Sequence, residues 1–345
     1  MGMNKSWQIT IRVIVFSALL GGASGVLTSA LTNNYLSDYT YQLGELTEPL
    51  RVTQERPRAL PTSYESALEL MESTALPAIG ASYGSGGVVP VDQFESSVIV
   101  LTSDGWMLGL GSLSVEDTVR IGSEECIISD VVYDRRSGFS FAHCDAQNLP
   151  VVDFGDGYNL EPGDQVFVAH GGEMTFTRVK TVTYGEDALR SSDDPARRIV
   201  LEATLFNDGS AVFNIFGELV GLVNDSRVIP LEHISGSLKQ VLSAVELPVY
   251  PSLSVNTVDL SRTVGVDSSI KIGALLSGWQ PIGAGTEAGL EKGDVILSID
   301  GELVGSTYTL DDLLARKVAG EVISIEFSRD DVSMNVEVTL GSVNQ

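Results

Sequence analysis

Basic residues, cysteines and histidines are scarce in this sequence, and each shortage excludes a class of function. The 345 residues include 21 lysines and arginines against 46 aspartates and glutamates, which gives a formal net charge of -25. Nucleic-acid binding needs basic side chains to neutralise phosphates, so this balance excludes nucleic acid as a partner. The two cysteines and three histidines show no metal-ligand spacing. We therefore predict neither a bound metal nor a cofactor.

The length and composition indicate about two globular domains. Hydrophobic residues make up 43% of the chain, which also contains 35 glycines and 12 prolines. Such a composition is typical of a folded protein rich in strands and turns. A chain of this length is long enough to bury roughly two separate cores.

An uncharged apolar run occupies residues 13–31. As a helix it spans roughly 28 Å at 1.5 Å per residue, which is close to the hydrocarbon thickness of a bilayer. Lys5 and Arg12 precede the run, so residues 1–12 are predicted to stay in the cytoplasm and the rest of the chain outside it. We favour an uncleaved signal anchor, which makes a single pass through the cell membrane. A signal peptide cleaved near residues 28–30 is the alternative.

The remaining chain divides at proline-containing stretches. Residues 32–61 are polar and are predicted to be a linker. Residues 62–247 begin with a short amphipathic helical pattern at residues 63–73. They then contain many short β-runs separated by turns, such as residues 106–110 and 118–121, with a further helical pattern only near the end, which is typical of β-barrels or a sandwich. Residues 252–342 combine strands, such as residues 274–276, with short helical segments, such as residues 310–317, and are predicted to form a compact α+β domain.

The two cysteines, Cys126 and Cys144, flank a predicted hairpin with its turn at residues 134–138. Their similar distances from the turn bring them opposite or diagonal to each other on neighbouring strands. An exported location permits a disulfide. Free buried cysteines are also common in protein cores, so both states stay open at this point.

Two stretches of the C-terminal domain carry a specific pattern. Residues 288–301 read Ala-Gly-Leu-Glu-Lys-Gly-Asp-Val-Ile-Leu-Ser-Ile-Asp-Gly, and residues 273–276 read Gly-Ala-Leu-Leu. The pattern resembles that of bacterial PDZ domains. The resemblance implies an open strand edge beside a helix, where an extended peptide adds as a further strand.

The PDZ resemblance also implies the residues that contact such a peptide. We expect the turn amides around Ile272 and Gly273 to receive the terminal carboxylate of the peptide, and leucines of the following helix to wall the groove. A leucine stripe is also typical of a helix that only packs into a core. The predicted peptide-binding residues are Ile272, Gly273, Ala274, Leu275, Leu276, Leu310 and Leu313.

Three stretches of the β-rich part carry a second pattern. Residues 97–112 form an apolar strand with an Asp-Gly-Trp turn, residues 133–141 lead into a strand, and residues 205–214 form a turn ahead of a strand. With the membrane anchor and the PDZ domain, they resemble the HtrA/Deg family of serine proteases over roughly residues 62–341. The resemblance implies an all-β trypsin-like double β-barrel.

The HtrA/Deg resemblance implies where a catalytic triad would lie. It aligns the histidine with Ser112, the aspartate with Gly138 and the nucleophilic serine with Asp208. A serine attacks only when an imidazole removes its proton, and the carboxylate orients that imidazole. Loss of such a unit lowers the rate by about 10⁶. Phe206 also replaces a glycine of the oxyanion hole, so we predict a catalytically inactive family member.

The leading hypothesis is a membrane-anchored extracytoplasmic pseudoprotease. Its PDZ domain would bind peptide or protein C-termini, and the protein would act as an adaptor, sensor or regulator in envelope protein quality control. Two alternatives stay open: an active HtrA-like serine endopeptidase with an unrecognised site, and a structural envelope protein whose PDZ domain packs against its own barrel. The family resemblance also implies a homotrimer or co-assembly with active relatives.

Overall fold

A computed structural model describes the chain after its N-terminal region. The described residues are 68, 71, 73–79, 96–111, 113–121, 124–170, 173–203, 206–242 and 249–343. The predicted membrane anchor at residues 13–31 lies outside them, as does the linker at residues 32–61. Within the described ranges, no helix has both the length and the apolar character that a membrane span requires.

Six antiparallel strands form a first closed barrel in the order β1-β2-β3-β6-β5-β4. They are β1 Ala75–Ile79, β2 Ser96–Val100, β3 Trp106–Leu110, β4 Thr118–Ile121, β5 Glu124–Asp134 and β6 Phe139–Cys144. Apolar side chains such as Val98, Met107 and Val119 fill its interior. A barrel of this size leaves an interior that side chains can fill, so it is a packed core.

Six further strands form a second closed barrel in the order β10-β13-β12-β11-β7-β8. They are β7 Gln165–His170, β8 Glu173–Tyr184, β10 Arg197–Leu201, β11 Ala211–Asn214, β12 Leu219–Asn224 and β13 Arg227–Pro230. Strand β9, Leu189–Ser191, lies in the connection between β8 and β10 but pairs outside the barrel. After β13 the chain forms a 3₁₀ turn at Leu231–Ile234 and helix α1 at Ser235–Leu242.

The C-terminal part forms a mixed α+β domain. Its strands are β14 Tyr250–Ser252, β15 Asn256–Asp259, β16 Ala274–Leu276, β17 Val295–Ile299, β18 Glu302–Leu303, β19 Val322–Arg329, β20 Val332–Thr339 and β21 Gly341–Val343. Its helices are α2 Ala284–Glu287 and α3 Leu310–Ala315. The main sheet runs β20-β19-β17-β16-β15-β9, β18 pairs with β17, and β14 pairs with β21.

The sequence pattern accounts for the core of this domain. Along β19 the side chains of Ile323, Ile325 and Phe327 alternate into the core, as the two-residue period of a strand requires. Helix α3 begins at a capping box, in which the Thr309 side chain accepts a hydrogen bond from the amide of Asp312 and the Asp312 carboxylate accepts one from the amide of Thr309. The cap fixes the start of the helix that packs its leucines onto the sheet.

A disulfide joins Cys126 to Cys144, with their Cα atoms 6.0 Å apart. Cys126 lies near the start of β5 and pairs with Val119 of β4, whereas Cys144 ends β6 and pairs with Ile128. The cysteines therefore meet diagonally across neighbouring strands, which answers the question that the sequence leaves open. The bridge closes one end of the first barrel.

A buried ion pair joins the second barrel to the C-terminal domain. The Asp312 carboxylate of α3 accepts hydrogen bonds from Arg197 Nε at 3.0 Å and from Nη2 at 2.8 Å. The same guanidinium donates to the carbonyls of Tyr158 and Thr307. Arg197 is 3% exposed and Asp312 is fully buried, so this contact holds the two parts in one fixed arrangement.

Candidate functional site

Loops from the two barrels converge on Leu110, the last residue of β3. The amide of Gly111 donates to the carbonyl of Gly138 at 2.9 Å. A Cβ at Gly138 would lie 3.8 Å from Leu110 Cδ1, and a Cβ at Gly209 would lie 3.4 Å from Leu110 Cβ. The structure therefore brings the loop segments around the three predicted triad positions together. Ser112 itself lies outside the described residues.

Gly138 adopts a left-handed backbone conformation. Its φ is +76°, in the left-handed region that residues with a Cβ rarely adopt. Its neighbours leave room for a side chain, because the nearest atoms to a Cβ are those of Leu110 and the Asn224 amide at 4.0 Å. Aspartates adopt left-handed φ values elsewhere in this chain, so Gly138 differs from a triad aspartate by its missing side chain, and not by its backbone or the space around it.

Asp208 has a structural partner. Its Oδ1 accepts a hydrogen bond from the amide of Asp225 at 2.8 Å. Asp225 and Ser226 have positive φ values and form the tight turn between β12 and β13. The nearby Ser210 is fully buried and its hydroxyl donates to the Asn207 carbonyl at 2.5 Å. The Asp208 side chain therefore ties its loop to the neighbouring hairpin.

Two of the three histidines make their side-chain contacts away from the Asp208 turn. His143 Nδ1 is 3.4 Å from the Ser129 hydroxyl on the first barrel, and His233 Nδ1 is 3.4 Å from Arg198 Nη1. His170 ends β7, and burial lowers the pKa of its imidazole. In the part of the chain that the structure describes, none of them hydrogen-bonds to the turn that carries Asp208. His170 follows Ala169, which pairs with Ala211, so its backbone comes close to this turn without a hydrogen bond to it among the described residues.

The predicted peptide-binding residues occupy an interior strand and the core of the PDZ sheet. Strand β16 pairs with β15 on one side and with β17 on the other, so Gly273–Leu276 does not form the open edge expected from the sequence. Ile272 is exposed, whereas Ala274 and Leu276 are buried and Leu275 is half-buried. Leu310 and Leu313 are each 2% exposed and belong to the core cluster.

Strand β15 lies beside β16, and the outer side of β15 is already paired with another strand. Strand β9 from the second barrel pairs with it antiparallel, with Leu189 opposite Val258 and Ser191 opposite Asn256. Sequence reasoning missed this pairing because Leu-Arg-Ser is too short and too polar to read as a strand. The partner strands are also far apart in sequence, and no local signal predicts such a contact.

Buried charged groups of the second barrel lie near helix α3. Burial, followed by the charges of Arg198 and Arg197, lowers the pKa of His233 well below its usual value. Burial, followed by the nearby Asp156 carboxylate, raises the pKa of Glu232 well above its usual value. Burial lowers the pKa of Arg197, but the Asp312 carboxylate more than offsets this effect. These groups titrate as parts of a buried polar interface, and none lies at the Asp208 turn.

Comparison with known proteins supports a PDZ domain and a protease-like scaffold. A family model described as PDZ domain matches residues 259–340. A probable periplasmic DegP-like serine endoprotease of Pseudomonas fluorescens is 26% identical over 284 residues, which cover 76% of this chain and 56% of the relative. A protein with the same description in Marinomonas sp. is 27% identical over 280 residues, covering 75% of this chain and 57% of the relative. The chain thus spans little more than half the length of these relatives.

Solved structures share the fold. The HtrA-type protease AlgW with a tripeptide has a TM-score of 0.56 at 19% identity, covering 82% of this chain and 98% of that chain. The same protease with a decapeptide has a TM-score of 0.52 at 16% identity, covering 82% and 99%. At such identities the likeness establishes the fold, whereas the chemistry has to be argued from the residues of this chain.

Proposed function

We propose that this chain, which shares its barrels and PDZ domain with HtrA-type proteases, is an inactive protease that binds peptides. In the proposal the double barrel is a scaffold and the PDZ domain binds peptide or protein C-termini. The protein then acts as an adaptor, sensor or regulator in the envelope, alone as a homotrimer or together with active relatives. Its relatives carry the description periplasmic, which supports an extracytoplasmic location.

The domain order belongs to the same proposal. Residues 1–12 lie in the cytoplasm, residues 13–31 anchor the chain in the membrane and residues 32–61 link the anchor to the folded part. Residues 62–247 form the inactive protease domain and residues 252–342 the PDZ domain. A full-length protein that stays in the membrane fraction after carbonate extraction is the expected result, and release into the soluble fraction contradicts the anchor.

The proposal that the protein is an inactive protease rests on the hydrogen bond of Asp208. A nucleophilic serine is replaced by a carboxylate that accepts the amide of Asp225 at 2.8 Å. Negative charge here opposes the negative charge that develops on the substrate during acyl transfer. The left-handed Gly138 supplies no carboxylate to orient an imidazole. Hydrolysis by the triad mechanism therefore lacks its nucleophile, and the rate falls by about 10⁶.

A second candidate, an active endopeptidase, rests on Ser129 and His143. The Ser129 hydroxyl lies 3.4 Å from His143 Nδ1, and it also donates to the His143 carbonyl at 3.1 Å. His143 Nε2 in turn lies 3.1 Å from the Asp104 carbonyl. The pair lies on two neighbouring strands, at an exposed position away from the loops around Leu110. Acyl transfer there would also need backbone amides aimed at the oxyanion of the substrate.

Labelling with a fluorophosphonate probe separates these two candidates. The proposal predicts no labelled serine and no cleavage of unfolded casein by the full-length protein, while an active serine protease treated in parallel is labelled. A labelled Ser129, lost in a Ser129→Ala variant, would establish the second candidate instead. The Asp208→Ser variant is expected to stay unlabelled as well, because no imidazole activates the new hydroxyl.

Peptide binding by the PDZ domain has its own test. The full-length protein is titrated with a library of C-terminal peptides, each with a free carboxylate or a terminal amide. Saturable binding that requires the free carboxylate supports the proposal. Absence of saturable binding favours the alternative of a structural envelope protein, which the pairing of β9 with β15 would then explain.

A further inference from the structure

The segment that follows β9 continues along the edge of the PDZ sheet. Beyond the paired strand residues, the Ser192 amide donates to the Val255 carbonyl at 2.8 Å. The Val255 amide in turn donates to the Ser192 hydroxyl at 3.2 Å. Ser192 is 2% exposed. The chain from Leu189 to Ser192 therefore lies as an added antiparallel strand against β15, the position that an extended peptide takes when it augments a sheet.

The segment ends in a carboxylate held by backbone amides. Asp193 Oδ1 accepts hydrogen bonds from the amides of Leu253 at 2.9 Å and Ser254 at 3.2 Å. Asp193 Oδ2 accepts from the Ser252 hydroxyl at 2.5 Å. Successive turn amides that converge on one carboxylate are the arrangement that captures the C-terminus of a peptide. Here the carboxylate is a side chain of the protein's own second barrel.

Helix α3 contacts the same segment from the other side. The Ala196 amide donates to Asp311 Oδ2 at 2.9 Å. The same carboxylate oxygen lies 3.9 Å from Arg190 Nη1. Both the strand and the helix that border a PDZ groove therefore contact residues of the β8–β10 connection. A peptide that adds to β15 has to replace this connection.

We propose that residues Leu189–Asp193 are an internal ligand that closes the peptide site, and that a partner peptide binds by displacing them. The proposal rests on the proposed peptide binding and adds its regulation. A tethered segment acts at an effective concentration on the order of millimolar, so it competes well with a free peptide. The apparent affinity for peptide falls in proportion to the fraction of molecules in which the site is open.

Replacement of Asp193 tests the contact without any added ligand. Hydrogen bonds to a charged group each change an equilibrium constant about 10- to 100-fold. In the full-length Asp193→Ala variant, the backbone amides of residues 189–192 are therefore expected to exchange with deuterium at least about tenfold faster than in the wild type. The Asp194→Ala variant is the matched control, because it removes the same charge from the exposed neighbouring residue. The Asp193→Asn variant keeps the side-chain size if the alanine variant folds poorly.

Peptide affinity is the second measurement. The probe is a fluorescent six-residue peptide with the sequence of residues 187–192 and a free C-terminal carboxylate, and its terminal amide is the control. The Asp193→Ala variant is expected to bind the probe about tenfold more tightly than the wild type or Asp194→Ala. Saturating probe is expected to speed exchange in residues 189–192 of the wild type and to slow exchange in β15.

The outcomes separate the inference from the proposed function. If deuterium exchange at residues 189–192 is unchanged in both Asp193 variants, residues 189–193 are not an internal ligand, whether or not the PDZ domain binds peptides. If exchange at residues 189–192 becomes faster but the wild type and the Asp193→Ala variant bind the probe peptide with equal affinity, the segment does not close the peptide site. The proposed peptide binding would then still stand. Faster exchange with no binding of any C-terminal peptide would refute the proposed peptide function, and with it the displacement.

Discussion

Removal of the buried Asp312 carboxylate is expected to destabilise the contact between barrel and PDZ domain strongly. In an Asp312→Ala variant, the guanidinium of Arg197 stays buried but loses the carboxylate at 2.8 and 3.0 Å. Breaking a buried ion pair from one side lowers the free energy of unfolding by about 3–5 kcal/mol. Each kcal/mol shifts the melting temperature of a unit of this size by roughly 2–4 °C, so a fall of roughly 6–20 °C is expected by circular dichroism.

Two further variants test whether this loss of stability comes from the buried ion pair of Arg197 and Asp312. The Glu291→Ala variant removes a carboxylate from an exposed ion pair with Arg329, where Glu291 is 72% exposed, and little change in melting temperature is expected. The Arg197→Met and Asp312→Ala double variant is expected to be more stable than the sum of the single effects predicts, because it leaves no unpaired buried charge. A fall of less than about 2 °C in Asp312→Ala, or additive single effects, would refute the reasoning.

Three further predictions concern buried groups of the barrels. The raised pKa of Glu232 means that the folded state binds more protons than the unfolded state, so the stability of the protein falls as pH rises from about 4.5. The Glu232→Gln variant is therefore expected to melt at a higher temperature than the wild type at pH 8, and this difference in melting temperature should close towards pH 4.5. The lowered pKa of His233 has the opposite effect: the unfolded state binds more protons below about pH 6.5, so stability falls as pH falls. The melting temperature of the His233→Gln variant is therefore expected to fall less than that of the wild type between pH 6.5 and 5. The Cys126→Ala variant is expected to lose about 3 kcal/mol of stability under non-reducing conditions, and thiol labelling should find no free cysteine in the wild type.

Local sequence signals predicted the strands that carry a clear pattern. The runs Trp106–Leu110, Thr118–Ile121 and Ala274–Leu276 have the same bounds in the sequence interpretation and in the structure. Apolar runs of this kind between turn residues have few other ways to bury their side chains. The sequence predicts that helix α3 extends to Lys317, but it ends at Ala315, since helix ends depend on contacts that the sequence does not display.

The edge of the PDZ sheet could not be predicted in the same way. A glycine at position 273 suggested a carboxylate loop, but its left-handed φ of +123° serves close packing, with a Cβ there only 2.6 Å from the Ile296 carbonyl. The amides that hold a carboxylate belong to Leu253 and Ser254, which lie in a serine-rich stretch without a motif. Their partner Asp193 comes from another domain, and only the tertiary fold brings the two together.

The connection between β8 and β10 links the two halves of the proposal. It begins in the barrel whose Asp208 carboxylate accepts a hydrogen bond from the Asp225 amide. It ends at Arg197, whose buried pair with Asp312 fixes the barrel against helix α3. The barrel can therefore hold β9 in register with β15 without any catalytic chemistry. Under the proposed function, the barrel has a physical role without catalysis, which is to present residues 189–193 to the PDZ groove until a partner peptide displaces them.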